Sequence, residues 1–135
     1  MQHTYSFEKL IAWQQARQII KQIYLTTKSF PREEIFGITS QIRRAAISIS
    51  CNLAEGSGRV GEIDQNRFYK IAYSSALEVY SLLITSTDLE YLSNEEYEAR
   101  RTEMGKLTLQ INRLVNRNQN SNLHEPDYPY PEDFI

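Results

Sequence analysis

The sequence predicts an all-α protein, an up-down four-helix bundle, on three observations. Apolar residues recur at spacings of three and four along four segments, which is the helical period. The interval between Pro31 and Pro126 holds no proline, the strongest helix breaker. A chain of 135 residues is long enough for one domain with its own core, and the connections are short. We expect the bundle in residues 1–118 and an extended, acidic, proline- and aromatic-rich tail in residues 119–135.

The first helix is expected from about Phe7 to Lys28. Ser6 is suited to be its N-cap, and the Phe30-Pro31 pair ends it because the residue before a proline is disfavoured in the helical region. The predicted apolar stripe of this helix comprises Phe7, Leu10, Ile11, Ile20, Ile23 and Tyr24.

The second helix is expected to begin within residues 32–37 and to end at Gly56, a position suited to a left-handed C′ residue. One face holds Ile35, Ile38, Ala45, Ala46, Ile49 and Leu53, and the opposite face holds Ile47, Cys51 and Ala54. A helix that is apolar on two sides is buried on two sides. One side would meet the bundle core, and the other requires a partner.

The third helix is expected from about Glu62 to Leu92, and the fourth starts at Ser93 with a capping box completed by Glu96. The core face of the third comprises Phe68, Ala72, Ser75, Val79, Leu82, Leu83 and Leu89, and that of the fourth comprises Tyr97, Met104, Leu107, Ile111, Leu114 and Val115.

A separate stripe of large side chains on the third helix suggests contact with another subunit. Tyrosine is enriched at the buried centres of protein interfaces, although these tyrosines could instead cap the core with their hydroxyls in water. Together with the second face of helix two, the expected oligomer interface comprises Ile47, Cys51, Tyr73, Tyr80, Ile84 and Tyr91.

Composition and chemistry-bearing residues argue against a membrane protein and against an enzyme. No signal peptide or membrane-spanning stretch is visible, so we expect a cytoplasmic protein with no membrane partner. His3 and His124 lie at opposite ends without a carboxylate at ligand spacing, so no metal is expected. Cys51 resembles a small buried apolar residue and lacks the histidine or helix N-terminus of a catalytic thiolate. We expect no catalytic residues and no cofactor.

The charge distribution leaves room for a local basic surface. The net charge is −2, with +4 in residues 1–60 and −6 in residues 61–135. Arginines cluster around the second helix, and the exposed stripe of helix one adds two cations, so the candidate nucleic-acid-binding residues are Arg17, Lys21, Arg43, Arg44 and Arg59. Arginine binds phosphate through bidentate contacts. The alternative is an ion-pair set with Glu55 that fixes the helix end and a subunit contact.

Several spaced residues support a family resemblance that covers nearly the whole helical body. The matching residues are Phe7, Leu10, Trp13 and Ala16; Phe30, Pro31 and Glu34; Gln41, Arg44, Ala45, Ala46, Ser48 and Ile49; Asn52, Ala54, Glu55, Gly56 and Arg59; the segment from Phe68 to Ala72; and Leu77 and Glu78. With them the chain resembles the bacterial four-helix bundle proteins encoded in intervening sequences of large-subunit ribosomal RNA genes. It is more distantly similar to the accessory variability determinant of diversity-generating retroelements. Asn52, Glu55 and Gly56 belong to this signature as structural residues.

The resemblance implies an all-helical subunit in a ring-like homopentamer with no known enzymatic activity. The likeness to the retroelement relative also implies binding of nucleic acid, RNA or DNA, through a basic surface of the pentamer, and contact with a protein partner, a reverse transcriptase. Two hypotheses follow: a non-enzymatic oligomer that binds nucleic acid weakly, or a protein-interaction scaffold with no nucleic-acid role.

Overall fold

The computed structural model describes residues 2–121, with side chains through residue 119, and these residues form four α-helices and no strand. The helices are α1 (Ile11–Thr27), α2 (Ile38–Ser57), α3 (Glu62–Asp88) and α4 (Asn94–Ser121). Two short 3₁₀ helices, Ser6–Lys9 and Arg32–Glu34, precede α1 and α2. The predicted all-α class and the four helices are confirmed.

Each helix runs antiparallel to the next, and α4 closes the bundle by packing on α1. The Ser6 hydroxyl contacts Ser57 at one end of the α1–α2 pair, and Arg43 contacts Thr27 toward the other. Gly56 packs against Tyr69 between α2 and α3, and Arg100 on α4 donates to Gln22 on α1 at 3.0 Å. The order of the helices around the bundle is therefore their order in the chain.

Aliphatic side chains from all four helices fill the centre of the bundle. The most deeply buried large residues include Ile19, Ile23, Ile42, Ile49, Leu53, Val79, Leu83, Leu107, Ile111 and Val115. Full burial of such a side chain contributes roughly 1.5–3 kcal/mol, so this layer dominates the stability of the fold. The core stripe predicted for α4 is confirmed, with Tyr97 half-buried at its start.

The start of the first helix differs from the expectation. Leu10 is extended, with φ −71° and ψ 123°, so a 3₁₀ turn is separated from α1, and Ser6 bonds to Ser57 instead of acting as N-cap. The buried face of α1 consists of Ala12, Ala16, Ile19, Ile23 and Thr27, whereas Ile11 is exposed. The predicted stripe was wrong at Ile11 because small alanines, rather than the largest apolar residues, allow α1 to approach its neighbours.

The end of α2 also differs from the expectation. The helix continues through Gly56 to Ser57, and Gly58 follows in a right-handed conformation, so Gly56 is not a left-handed C′ residue. Gly56 is buried, and a Cβ there would lie 2.7 Å from Cε1 of Tyr69 and 3.1 Å from the Gln65 carbonyl oxygen. Glycine is needed at position 56 because α3 passes so close.

The expected boundaries around α3 and α4 shift by a few residues. Helix α3 ends at Asp88, and the turn that follows has Glu90 in the left-handed region with φ 63°. Ser93 accepts the Glu96 N–H at 3.1 Å, as an N-cap should. Helix α4 runs to Ser121, so the boundary expected at residue 118 falls inside it. The expected tail from residue 122 onward lies outside the described residues.

A buried amide pair joins α3 to α4. The Asn118 side chain donates to Oδ1 of Asn66 at 2.9 Å, and Asn66 donates to the Val115 carbonyl at 3.1 Å. Paired amides avoid the cost of burying a polar group without a hydrogen bond. Among residues 2–121, none of the helices is long and apolar enough to cross a bilayer.

Candidate nucleic-acid interface

The outer surface of the α1–α2 half derives from two acid-free stretches of chain. Residues 9–32 and 35–54 contain no aspartate or glutamate, and their seven cations are Lys9, Arg17, Lys21, Lys28, Arg32, Arg43 and Arg44. Four acids, Glu8, Glu33, Glu34 and Glu55, flank these stretches, and the net negative charge of the chain lies in residues 61–135, where α3 carries −2 and residues 122–135 carry −4. The net charge of −2 therefore conceals a strongly uneven distribution.

Three of these cations form one line on α1. Arg17, Lys21 and Lys28 are all exposed and fall within an arc of about 40° at 3.6 residues per turn. Lys21 makes no hydrogen bond or ion pair with other described residues. We refer to Arg17, Lys21, Lys28, Arg43 and Arg44 as the basic face.

Arg43 joins α2 to this line through Tyr24. Its guanidinium carbon lies 4.6 Å from the Tyr24 ring centroid, and its Nε donates to Oγ1 of Thr27 at 2.9 Å. A cation over an aromatic ring is stabilised by the ring's negative face, which holds the guanidinium in place. Arg43 is half-buried and serves packing as well as charge, whereas Arg44 beside it is exposed.

An open groove of about 410 Å³ lies where these side chains meet. It is lined by Tyr24, Ile35, Thr39, Ser40, Arg43, Arg44 and Ile47. Ile35 was predicted to belong to the core, but it precedes α2 in the 3₁₀ turn region and is half-exposed at the groove. The groove therefore combines an apolar floor with two arginines.

Arg59 does not join the basic face. It follows α2, about 24 Å along the helix axis from Arg43 at 1.5 Å per residue. Its guanidinium stacks on Phe68 at 4.6 Å and approaches Glu55 at 3.7 Å and Asp64 at 3.9 Å. The ion-pair interpretation fits Arg59, because two carboxylates offset its charge.

The residues expected at an oligomer interface fall on two separate surfaces. Ile47 and Cys51 lie on the outer face of α2, which none of the other described helices covers. Cys51 is therefore exposed rather than buried as expected. Ile84 on α3 is 41% exposed, and it lies nine residues from Ser75, which contacts Ser48 of α2. Nine residues span two and a half turns of a helix, so Ile84 lies on the side opposite Ser75 and points away from α2.

The tyrosines of the α3 stripe are engaged within the subunit. Tyr73 is only 4% exposed and belongs to the core, so it is removed from the expected interface. The Tyr91 hydroxyl donates to Glu34 at 2.8 Å, and this bond raises the pKa of Tyr91. Tyr80 stacks on Tyr97. The pKa of Tyr97 is raised to about 12, mainly by burial of its hydroxyl and secondly by its hydrogen bond to Tyr80.

The aromatic partners of the cations were not anticipated from the sequence. Trp13 lies under Arg17, with 5.6 Å between the guanidinium carbon and the ring centroid, and Tyr24 lies under Arg43. The four-residue spacing of Trp13 and Arg17 could have indicated the first contact, since such residues are neighbours on a helix. Within the described part of the chain, His, Cys, Asp and Glu form no cluster of three that could hold a metal.

Asn52 and Glu55 of the family signature have structural positions. Asn52 donates to the Ser48 carbonyl at 2.8 Å and to its hydroxyl at 3.1 Å, and this hydroxyl contacts Ser75 of α3. Glu55 approaches Arg59. With Gly56 against Tyr69, these residues fix the α2–α3 contact.

Comparison with known proteins places this fold in a family. A model of the 23S rRNA-intervening sequence protein family matches residues 8–113. The chain is also similar to a crystal structure of a protein with unknown function from the S23 ribosomal protein family of Bacteroides thetaiotaomicron VPI-5482. That likeness has a TM-score of 0.71 and 20% identity, over 78% of this chain and 98% of the other. None of the curated proteins matches the chain. Because the family model spans most of the sequence, the chain belongs to the 23S rRNA-intervening sequence protein family.

Proposed function

We propose that this protein is a non-enzymatic accessory protein that binds nucleic acid weakly through the basic face. The observation that carries the proposal is the folding of two acid-free segments onto adjacent helices. Phosphate contacts from lysine and arginine supply most of the affinity of sequence-independent binding. The family's name refers to intervening sequences of 23S rRNA, so RNA is the first ligand to test, with DNA as the second.

A charge-removal experiment tests this proposal. Lys21 and Arg44 are exposed and form no hydrogen bond or ion pair with residues 2–119, so Lys21→Gln with Arg44→Gln should leave the fold intact. We expect weaker binding of labelled RNA. The slope of the logarithm of the binding constant against the logarithm of the salt concentration should become shallower by roughly 0.7–0.9 for each phosphate contact removed. The measurement is fluorescence anisotropy over a series of salt concentrations.

A matched control removes the same charge from another surface. Lys106 and Arg113 are exposed on α4, and Lys106→Gln with Arg113→Gln should leave the affinity unchanged. Equal losses in both double variants would show that binding follows net charge rather than the basic face. No binding even at low salt would remove the proposal and favour the protein-interaction scaffold, which a pull-down after nuclease treatment would then reveal.

A second proposal is that copies of the chain associate into a closed ring, with five subunits by resemblance to the family. The supporting observation is the pair of apolar positions on different sides of the subunit, Ile47 with Cys51 on α2 and Ile84 on α3. Rings form when two different surfaces of one subunit meet head to tail. Tyr80 lies one turn before Ile84 on α3 and remains in the proposed interface through its exposed edge, whereas Tyr91 lies beyond the end of α3, against Phe30 and Glu34.

Sedimentation analysis tests the ring. Ile84→Glu should release smaller species, because a carboxylate would be buried without a partner. Leu25→Glu introduces the same charge at an apolar residue of similar exposure on α1 and should leave the mass unchanged. A wild-type chain that sediments as a monomer, or an Ile84→Glu variant of unchanged mass, would contradict the proposed interface.

A further inference from the structure

A row of aromatic rings leads onto the basic face from the N-terminal side. His3 meets Tyr5 edge to face at 4.6 Å between ring centroids, Tyr5 lies nearly parallel to Phe7 at 6.3 Å, and Phe7 meets Trp13 at 5.0 Å. We refer to these four residues as the aromatic row. Arg17 lies over Trp13, so the row ends on a cation of the basic face.

The aromatic row and the basic face form one continuous surface along α1. Trp13, Arg17, Lys21, Tyr24 and Lys28 fall within an arc of about 80° and extend about 22 Å along the helix axis. Two aromatic and three cationic side chains are therefore interspersed along one line. Backbone charges follow such a line of cations, while flat rings between them offer stacking surfaces.

Hydrogen bonds fix the segment that carries the row. The Tyr5 N–H donates to the Glu8 carboxylate at 2.7 Å, and Gln14 donates to the Glu8 carbonyl at 2.8 Å. The Ser6 hydroxyl reaches Ser57 at the end of α2. Tyr5 is thus held in place although the residue is 59% exposed, and a ring held open to solvent is ready to stack without further ordering.

We propose that the ligand of the basic face is single-stranded nucleic acid, whose bases stack on Tyr5 and on the Arg17–Trp13 pair while its phosphates follow Lys21 and Lys28. Bases of a duplex are stacked on each other and cannot present their faces, whereas unpaired bases stack on aromatic rings and on arginine planes. Each such contact should raise the affinity roughly 5- to 150-fold. This inference rests on the proposed function and names its ligand class.

The chain of 135 residues offers a direct readout, because Trp13 is its single tryptophan. Titration with a homopolymeric RNA strand of about a dozen nucleotides, with the DNA strand of the same sequence and with the corresponding duplex compares the three ligands. We expect both single strands to change the Trp13 emission and to bind more tightly than the duplex. The tighter of the two single strands identifies the nucleic acid that the site accepts.

Substitutions at Tyr5 separate stacking from charge. Tyr5→Ala should lower the affinity for single strands by about tenfold, within the range expected for one stacked base, whereas Tyr5→Phe keeps the ring and should keep the affinity. Phe36→Ala removes a still more exposed ring near the start of α2, away from the aromatic row, and should leave the affinity for single strands unchanged.

The outcomes distinguish failure of this inference from failure of the proposed function. A duplex that binds as tightly as the single strands, or an unchanged affinity in Tyr5→Ala, would overturn the single-strand assignment and leave binding by the basic face intact. Absence of binding by all three ligands at low salt would overturn both.

Discussion

The same substitution at two glycines should change stability in opposite directions. Gly56 and Gly105 both lie inside helices, where alanine is favoured over glycine by about 1 kcal/mol. At Gly56 the new methyl group would lie 2.7 Å and 2.9 Å from two ring carbons of the buried Tyr69, and 3.1 Å from a backbone oxygen of α3. At Gly105 it would meet nothing within 4 Å.

The expected magnitudes follow from these distances. Overpacking costs about 1–3 kcal/mol, so Gly56→Ala should lower the free energy of unfolding by up to about 2 kcal/mol after the helix-propensity gain. Gly105→Ala should raise it by up to about 1 kcal/mol. Urea unfolding followed by circular dichroism, at one fixed protein concentration so that any association is constant, measures both.

A double variant identifies the cause of the loss at position 56. Tyr69→Leu removes the ring that the methyl group meets, so Gly56→Ala should cost less in that background than in the wild type. If Gly56→Ala were as stabilising as Gly105→Ala, the close approach of α3 to α2 at Tyr69 would be refuted.

Three further predictions concern the α3–α4 side of the bundle. Asn118→Ala should cost about 1–3 kcal/mol, because it leaves Oδ1 of the buried Asn66 without its donor, and urea unfolding measures the loss. Ser93→Ala should cost about 1 kcal/mol through loss of the α4 N-cap, again by urea unfolding. Tyr97 should ionise near pH 12, which the difference between ultraviolet titrations of the wild type and of Tyr97→Phe measures. Tyr80→Phe removes the hydrogen-bond partner and should lower the pKa of Tyr97. Since the pKa of Tyr97 is raised on folding, the unfolded chain loses its proton first, and the contribution of Tyr97 to stability should be lost as the pH rises from about 10 to about 12.

The sequence was sufficient to predict the class of fold, but it did not predict every contact between the helices. Large apolar side chains at helical spacing predicted the buried face of α4 correctly, because burial of such side chains is the main contribution to the stability of an amphipathic helix in a bundle. They misplaced the buried face of α1, where Ala12 and Ala16 lie in the core. Gly56 was predicted to end α2, because a glycine near the end of a helix looks the same in the sequence whether it supplies a left-handed turn or makes room for a neighbouring ring.

The candidate site was predictable in its charges and not in its geometry. Arg17, Lys21, Arg43 and Arg44 could be named from the chain, because nothing acidic lies near them in sequence. The packing of α2 and α3 across the connecting turn decides two further features. It places Asp64 where its carboxylate offsets the charge of Arg59, and it buries Tyr73. Such contacts join residues on different elements, and periodicity along one helix carries no information about them.

The circular order of the helices has a consequence for folding kinetics. Three of the four interhelical contacts join helices that follow one another along the chain, so each forms by closing a short loop. Only the α1–α4 contact, which includes Gln22 and Arg100, joins distant parts of the sequence. Chains rich in local contacts fold quickly, and we expect this one to assemble as successive hairpins, with the α1–α4 seam closing last. The same seam should open first, exposing amides of α1 to exchange before those buried between α2 and α3.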